Sequence, residues 1–399
     1  MSDVRRGSRP RFVALAAALV CLGFWSAPAS GQALREQVAS LITTQPAVVG
    51  ATADPLAAAR SRDTLLGLFG VEMSSTPLTA GTSGFVYQLN RDLGVVERAS
   101  DSFGAFFTER ALRVGHRRTA VGFVVQDASF DAVQGLSLDD GVFPVNAVRT
   151  AGVQQPYAVD QLRLQLTTRT YTVRGVYGAT DRLDLGAAIP YVQARIDGAR
   201  VTTATGQPVF QVLREGRSSG IGDASVTARY RLVNEGRAGL ALGSDVRLPT
   251  GRAADLLGTG SLAVRGQVIA SWEDGPLAVA ANAGVGVGGA SDEVFGSGAV
   301  TLAAGPRVTL VGEVMTRRLS DLHRASQVYE PHSTIAGIES MRWVADSTSA
   351  VAIGYAVAGV KWNVTGSVLL GANLLFRLTD GGLRARVTPA LTLDYDLLR

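Results

Sequence analysis

The 399-residue chain holds one cysteine, three histidines and a single lysine, Lys361. Cys21 falls in a leader-like stretch, so the rest of the chain offers no disulfide, no thiol chemistry and no cysteine-based metal site. Val20 precedes Cys21 where a lipid anchor wants a small residue, which argues against lipidation. His116, His323 and His332 do not stand convincingly beside a serine and a carboxylate. Beyond residue 31 no apolar run is long enough for a membrane-crossing helix, so a membrane-spanning form must be a closed barrel. Charge of one sign is also scarce. Of the formal +4, residues 1–31 carry +3 (four Arg against Asp3), which leaves +1 and no basic patch. The pI of about 9.4 therefore does not mark a nucleic-acid binder. No cofactor and no metal are expected.

Residues 1–31 read as a secretory signal: Arg5, Arg6, Arg9 and Arg11, then the apolar stretch Phe12–Trp25, then small-residue cleavage sites at Ala27-Pro28-Ala29 and Ala29-Ser30-Gly31. Residues 32–117 form a separate, part-helical segment. Ala33–Thr44 puts Leu34, Val38, Leu41 and Ile42 on one helical face, with Pro46 ending it. Asp54-Pro55 suits a helix start before Leu65, Leu66, Phe69 and Met73. Gly84–Leu89 and Val95–Ala99 can pair as a hairpin across Asn90–Gly94, and Phe103, Phe106 and Phe107 follow. This segment is either a plug or a periplasmic extension.

Residues 118–399 are the expected barrel, and from Tyr177 onward the chain alternates strand after strand. Leu383, Ala385, Val387, Pro389, Leu391, Leu393, Tyr395 and Leu397 share one strand face; Arg384, Arg386, Thr388, Ala390, Thr392, Asp394 and Asp396 share the other. Glycine, at 46 residues, recurs inside such strands without a collagen period. The expected class is all-β, a transmembrane antiparallel β-barrel of about fourteen strands, with twelve as the fallback, in a Gram-negative outer membrane. The strands are expected at 118–128, 160–177, 183–197, 221–233, 238–248, 261–273, 276–288, 297–304, 308–317, 322–329, 334–345, 350–362, 366–378 and 384–398. Val226, Ala228, Tyr230 and Leu232 should face out, against Ser225, Thr227, Arg229 and Arg231 within. Leu262, Val264, Val268, Ala270 and Trp272 should face out, against Arg265 and Gln267 within; Tyr191 and Trp272 suit an aromatic girdle. Short links at Thr180–Arg182, Asn234–Arg237, Glu273–Pro276 and Gly305–Arg307 alternate with long ones at 129–159, 198–220 and 249–260. Promoting Leu322–Tyr329 from loop to strand makes the count even and brings both ends to one side.

Tyr177-Gly178-Ala179-Thr180-Asp181-Arg182-Leu183-Asp184-Leu185-Gly186 and Ile189-Pro190-Tyr191 resemble a signature of the outer-membrane barrels named after the meta-pathway of phenol degradation. Gly220-Ile221-Gly222-Asp223, Leu248-Pro249-Thr250-Gly251, Lys361-Trp362-Asn363-Val364 and Leu378-Thr379-Asp380 extend the resemblance, which covers roughly Ser102 to the C-terminus. It implies a transporter. Fourteen strands with an N-terminal plug are also similar in architecture to the outer-membrane channels for fatty acids and aromatic hydrocarbons. Such barrels usually end on an aromatic residue read by the assembly machinery; here the chain ends Tyr395-Asp396-Leu397-Leu398-Arg399, so either Tyr395 and Leu397 serve instead or the insertion route is unusual.

Gly216-Arg217-Ser218-Ser219-Gly220 spells a hydrolase elbow but is expected in a long loop, without the strand–turn–helix setting that chemistry needs. Gly284-Val285-Gly286-Val287-Gly288-Gly289 spells a dinucleotide fingerprint, yet reads better as a strand with glycines inward and Val285 and Val287 outward. Asn363-Val364-Thr365 is a glycosylation sequon by spelling only, in a short periplasmic turn. The lumen is expected to hold Arg163, Arg169, Arg229, Arg231, Arg247, Arg265, Arg377, Arg384 and Arg386 with Asp184, Asp245, Glu313 and Asp394. These form either a self-neutralising brace or a selectivity path for anionic or aromatic-acid solutes. Phe103, Phe106 and Phe107 either anchor the plug or line a greasy spot. The leading expectation is a passive outer-membrane channel for small, hydrophobic or aromatic solutes, and not an enzyme. Its partners would be outer-membrane lipid and the barrel assembly machinery, with no nucleic acid. The alternatives are a sealed structural or interaction barrel and, less favoured, an outer-membrane lipid enzyme.

Overall fold

The computed structural model describes residues 33–43, 54–74, 84–90, 95–235 and 237–397. The leader expected over 1–31 lies outside these. Two helices come first, α1 (Leu34–Ile42) and α2 (Pro55–Ser74). Leu34, Val38, Leu41 and Ile42 are the buried face of α1, as their spacing requires. Asp54 caps α2: its Oδ1 accepts the N–H groups of Leu56 at 3.0 Å and Ala57 at 3.2 Å. The expected hairpin forms from β1 (Tyr87–Asn90) and β2 (Val95–Arg98); its turn, residues 91–94, is outside the described residues.

The remaining strands are β3 (Thr119–Val133), β4 (Leu136–Ser137), β5 (Phe143–Thr150), β6 (Ala158–Gly178), β7 (Leu183–Ala204), β8 (Gln207–Ile221), β9 (Ser225–Glu235), β10 (Ala238–Arg247), β11 (Ala263–Asp274), β12 (Leu277–Gly288), β13 (Glu293–Ala303), β14 (Val308–Pro331), β15 (Ile338–Asn363), β16 (Val368–Arg377), β17 (Leu383–Ala385) and β18 (Val387–Asp396). Twelve of them close a ring: β3, β6, β7, β9 through β16, and β18, which returns to β3. Every neighbour in the ring is antiparallel. A closed ring leaves no strand edge unpaired.

Twelve strands, not fourteen, make the wall. The segments expected at 308–317 and 322–329 are one strand, β14, and those at 334–345 and 350–362 are one strand, β15. The break in alternation near Leu319 is a pair of register irregularities, after which β14 stays paired to β15 as far as Pro331 opposite Glu339. At 24 and 26 residues both far exceed the roughly 9–11 that cross a bilayer. The stretch 198–220, expected as a loop, is the continuation of β7 and its hairpin partner β8. Within 129–159 lie the end of β3, β4 and β5.

The ring has two ends. At the near end β3 starts and β18 stops, and the links between β6 and β7, β9 and β10, β11 and β12, β13 and β14, and β15 and β16 are all short. The far end carries the long connections and the additional strands β4, β5, β8 and β17.

Side chains alternate along each strand, but what is apolar changes sides between the two ends. Near the near end, β7 turns Leu185 and Ile189 outward and Asp184 inward; β6 turns Val173 and Tyr177 outward and Thr172 and Arg174 inward. Toward the far end the same strands turn Arg163, Gln165, Gln193 and Asp197 outward and Leu162, Leu164, Leu166 and Ile196 inward. The outward oily stretch of β7 is about nine residues, roughly 30 Å of strand at about 3.3 Å per residue. Tilted by about 40°, it covers close to the 25 Å apolar band of a membrane barrel. Tyr177, Tyr230, Trp272, Trp362 and Tyr395 stand outward around the near end, a rim of aromatics of the kind found where lipid meets water. The inward apolar residues of the far half pack against α1 and α2, with Leu41, Leu65 and Phe69 meeting Leu164, Ile196 and Val212 in one cluster.

Candidate functional site

Residues 95–118 lead into β3, and their backbone is bonded to inward-facing side chains of several strands. Glu313 of β14 accepts the N–H groups of Phe106 (2.5 Å), Phe107 (3.0 Å) and Thr108 (2.8 Å). Asn282 of β12 clamps Glu109 from both sides, accepting its N–H at 2.7 Å and donating to its carbonyl at 3.0 Å. Thr309 accepts from Phe103 at 3.0 Å, and Ser271 from Ala111 at 3.2 Å. Lys361 donates to the carbonyls of Ala105 (2.6 Å) and Phe103 (3.3 Å) and sits 4.6 Å from the Phe106 ring centre. That ring lies in a notch in the wall. A Cβ at Gly359 or Gly371 would stand 2.6 or 2.8 Å from it. Phe103 meets Phe85 edge-on at 5.8 Å. The three phenylalanines therefore anchor the segment to the wall, and Phe107 also faces open space.

That space is a cavity of about 190 Å³ within the ring. Arg174, Arg229, Arg247, Arg265 and Arg317 line it with Glu109, Asp184 and Asp245. Arg174 is paired to Asp394 at 2.6 Å. Arg229 holds Asp184 at 3.0 Å and Glu109 at 3.4 Å. Glu293 receives Arg265 at 2.5 Å and Arg317 at 3.8 Å. Phe107, Phe295, Met315, Ile353 and Tyr355 supply the apolar wall. Gly286 carries no side chain where those of Arg265 and Glu293 meet, which explains the glycine spelling of β12; Val285 and Val287 do point outward.

Of the residues expected in the lumen, Arg229, Arg231, Arg247, Arg265, Arg377, Asp184, Asp245, Glu313 and Asp394 lie on the inward face. Arg377 is spent on the Tyr355 hydroxyl at 2.7 Å and on carbonyls of Thr379 and Gly381, and Arg231 donates to the Asp181 carbonyl at 3.3 Å. Arg163, Arg384 and Arg386 do not face in. Arg163 and Arg169 are outward residues of the far half, where the inner positions of β6 are leucines; Arg169 pairs there with Asp127 at 2.6 Å. An irregularity between Arg384 and Ala385 shifts the last strand, so that Leu383 and Ala385 are buried while Arg386 and Val387 are both exposed. Arg384 instead holds Asp131 at 3.3 Å and Asp380 at 3.1 Å.

Arg174, Arg317, Lys361, Glu109, Asn282 and Glu293 were missing from the expected set. Alternation around outward Val173 and Tyr177 marks Arg174 as inward once the near half of β6 is read by itself. Ser218 lies in β8 and not in a loop, and its hydroxyl donates to the Asp255 carbonyl at 2.8 Å. Two motifs of the family-like signature meet at the far end, where Asp223 accepts the N–H groups of Gly251 at 3.0 Å and Thr259 at 2.7 Å.

No protein-family model matches the chain, and no curated protein matches it by sequence. Among solved structures, the NanC porin overlaps with a TM-score of 0.36 at 7% identity, over 69% of this chain and 100% of that one. The toluene transporter TbuX of Ralstonia pickettii overlaps at 0.30 and 8% identity, over 71% and 90%. Salmonella typhi OmpF, in a complex with daunomycin, overlaps at 0.29 and 9% identity, over 70% and 97%. Overlaps this loose carry no argument; the barrel rests on its own strand pairing.

Proposed function

We propose that the chain is an outer-membrane transport barrel whose lumen is closed by the described residues that precede β3, and which passes small solutes when that plug shifts. The cavity between the plug and the wall carries this reading. Guanidinium and carboxylate groups taken out of bulk water need polar company. A hollow lined by them stays hydrated, and a hydrated hollow halfway through a barrel is a station for a solute. The oily outer band with its aromatic rim supports insertion in lipid. The resemblance to meta-pathway barrels, and the wall of Phe107, Met315 and Tyr355, support aromatic cargo. Outward Tyr395 is the residue we assign to recognition by the assembly machinery.

The rival is a sealed barrel, favoured by the apolar cluster that binds α1 and α2 to the far half. Glu313→Ala removes the acceptor of three plug N–H groups and decides between them. The transport reading expects conductance in planar bilayers to rise and liposome swelling to quicken in the variant. If neither the parent protein nor Glu313→Ala passes any small solute, the sealed reading replaces it.

A further inference from the structure

Four of the five cavity arginines have carboxylate partners within 4 Å, and the fifth does not. Arg229 has Asp184 and Glu109, Arg174 has Asp394, and Arg265 and Arg317 share Glu293. Arg247 is 7% exposed, and among the described residues its guanidinium has no hydrogen bond and no carboxylate within 4 Å. It lines the central cavity and also a smaller hollow beside Thr259 and Ser291, toward the far end. Asp245 is two residues away on the same face and makes no ion pair with it. Buried cations are normally paired, because the desolvation of an unpaired one is costly. A planar guanidinium with its donors free is shaped to receive a carboxylate through two parallel bonds. Phe107, Met315, Ile353 and Tyr355 line the same cavity.

We infer that this cavity binds a small organic monoanion: a carboxylate on an apolar body of about one ring, the carboxylate on Arg247 and the body against Phe107, Met315 and Tyr355. The size agrees. An apolar cavity of about 150 Å³ holds benzene, and this one has about 190 Å³. Arg247 supplies the contact: it alone of the five arginines has no carboxylate within 4 Å, Asp245 acting on it only from farther off. The inference rests on the transport reading for its purpose but not for its binding.

Benzoate is the probe and benzamide its neutral match. Titration calorimetry on the full protein in detergent is expected to show benzoate binding at least tenfold tighter than benzamide. Arg247→Met should lower benzoate affinity at least tenfold and leave benzamide unchanged. Arg163→Gln, on the outer face of the far half, should bind benzoate as the parent does. Equal binding of the two probes, no benzoate binding, or full affinity in Arg247→Met overturns the inference; the first two need no variant to fold. Liposome flux separates this from the transport reading. Flux without benzoate selectivity leaves a channel and removes the site. Selective binding with no flux, in the parent and in Glu313→Ala alike, leaves the site and removes the channel.

Discussion

The near and far halves of this barrel are built from the same strands with opposite chemistry. In the near half the wall is oily outside and charged inside; Arg174 holds Asp394, and Arg229 holds Asp184. In the far half it is charged outside and oily inside; Leu162, Leu164 and Leu166 pack on the helices while Arg163 and Arg169 face outward. Strand alternation is indifferent to which face is apolar. The surroundings decide; on the transport reading they are lipid for one half and water for the other. A single strand such as β6 would then serve as a membrane strand at one end and a soluble-protein strand at the other.

This comparison is open to test. The largest effect is expected at Asp184. Asp184→Ala leaves the Arg229 guanidinium short of its 3.0 Å partner inside the near half and should cost about 3–5 kcal/mol in urea unfolding. Leu164→Ala, in the apolar interior of the far half, should cost about 2–5 kcal/mol by the same measurement. If Leu164→Ala is silent, the inner face of the far half is not a core. Leu391→Arg puts a charge on the lipid-facing near half and should cost about 2–4 kcal/mol on refolding into liposomes. The matched Gln165→Arg, outward on the far half, should stay within about 0.5 kcal/mol. Equal costs for that pair would erase the distinction between the halves.

The smallest effect concerns Asp54. Burial raises its pKa, but bonds from the Ser333 backbone and hydroxyl and from the Ala57 and Leu56 N–H groups outweigh that and hold it below the ordinary carboxylate value. A depressed folded-state pKa contributes stability that is present above the unfolded value, near 4, and is lost as pH falls through the folded one. Asp54→Ala should cost about 1 kcal/mol at neutral pH. The difference from the parent should shrink below about pH 4, as followed by unfolding at several pH values.

The barrel was legible because alternation runs through long stretches of the wall strands, and the even count was legible from the loop lengths. The number twelve was harder. A bulge near Leu319 breaks alternation as a turn does, and only pairing with β15 shows the strand carrying on. Arg229, Arg265 and Asp184 were legible because their strands stay in the lipid-facing half, where polar means inward. Arg163 was misplaced by applying that same rule beyond the lipid, and Arg384 and Arg386 by an irregularity that swaps faces without any mark in composition. The partners of the N-terminal segment could not be read at all. Glu313, Asn282 and Lys361 touch it across more than 170 residues of sequence, and no local pattern encodes such contacts.

The pairing of β3 with β18 joins wall strands that lie more than 250 residues apart in sequence, and with it the ring is complete. Every wall strand is then paired on both sides, which leaves no lateral gap between strands. The described stretch that precedes β3 is bonded to side chains inside that ring. It is held sideways for as long as β18 stays on β3, so one ladder of backbone bonds fastens container and contents together.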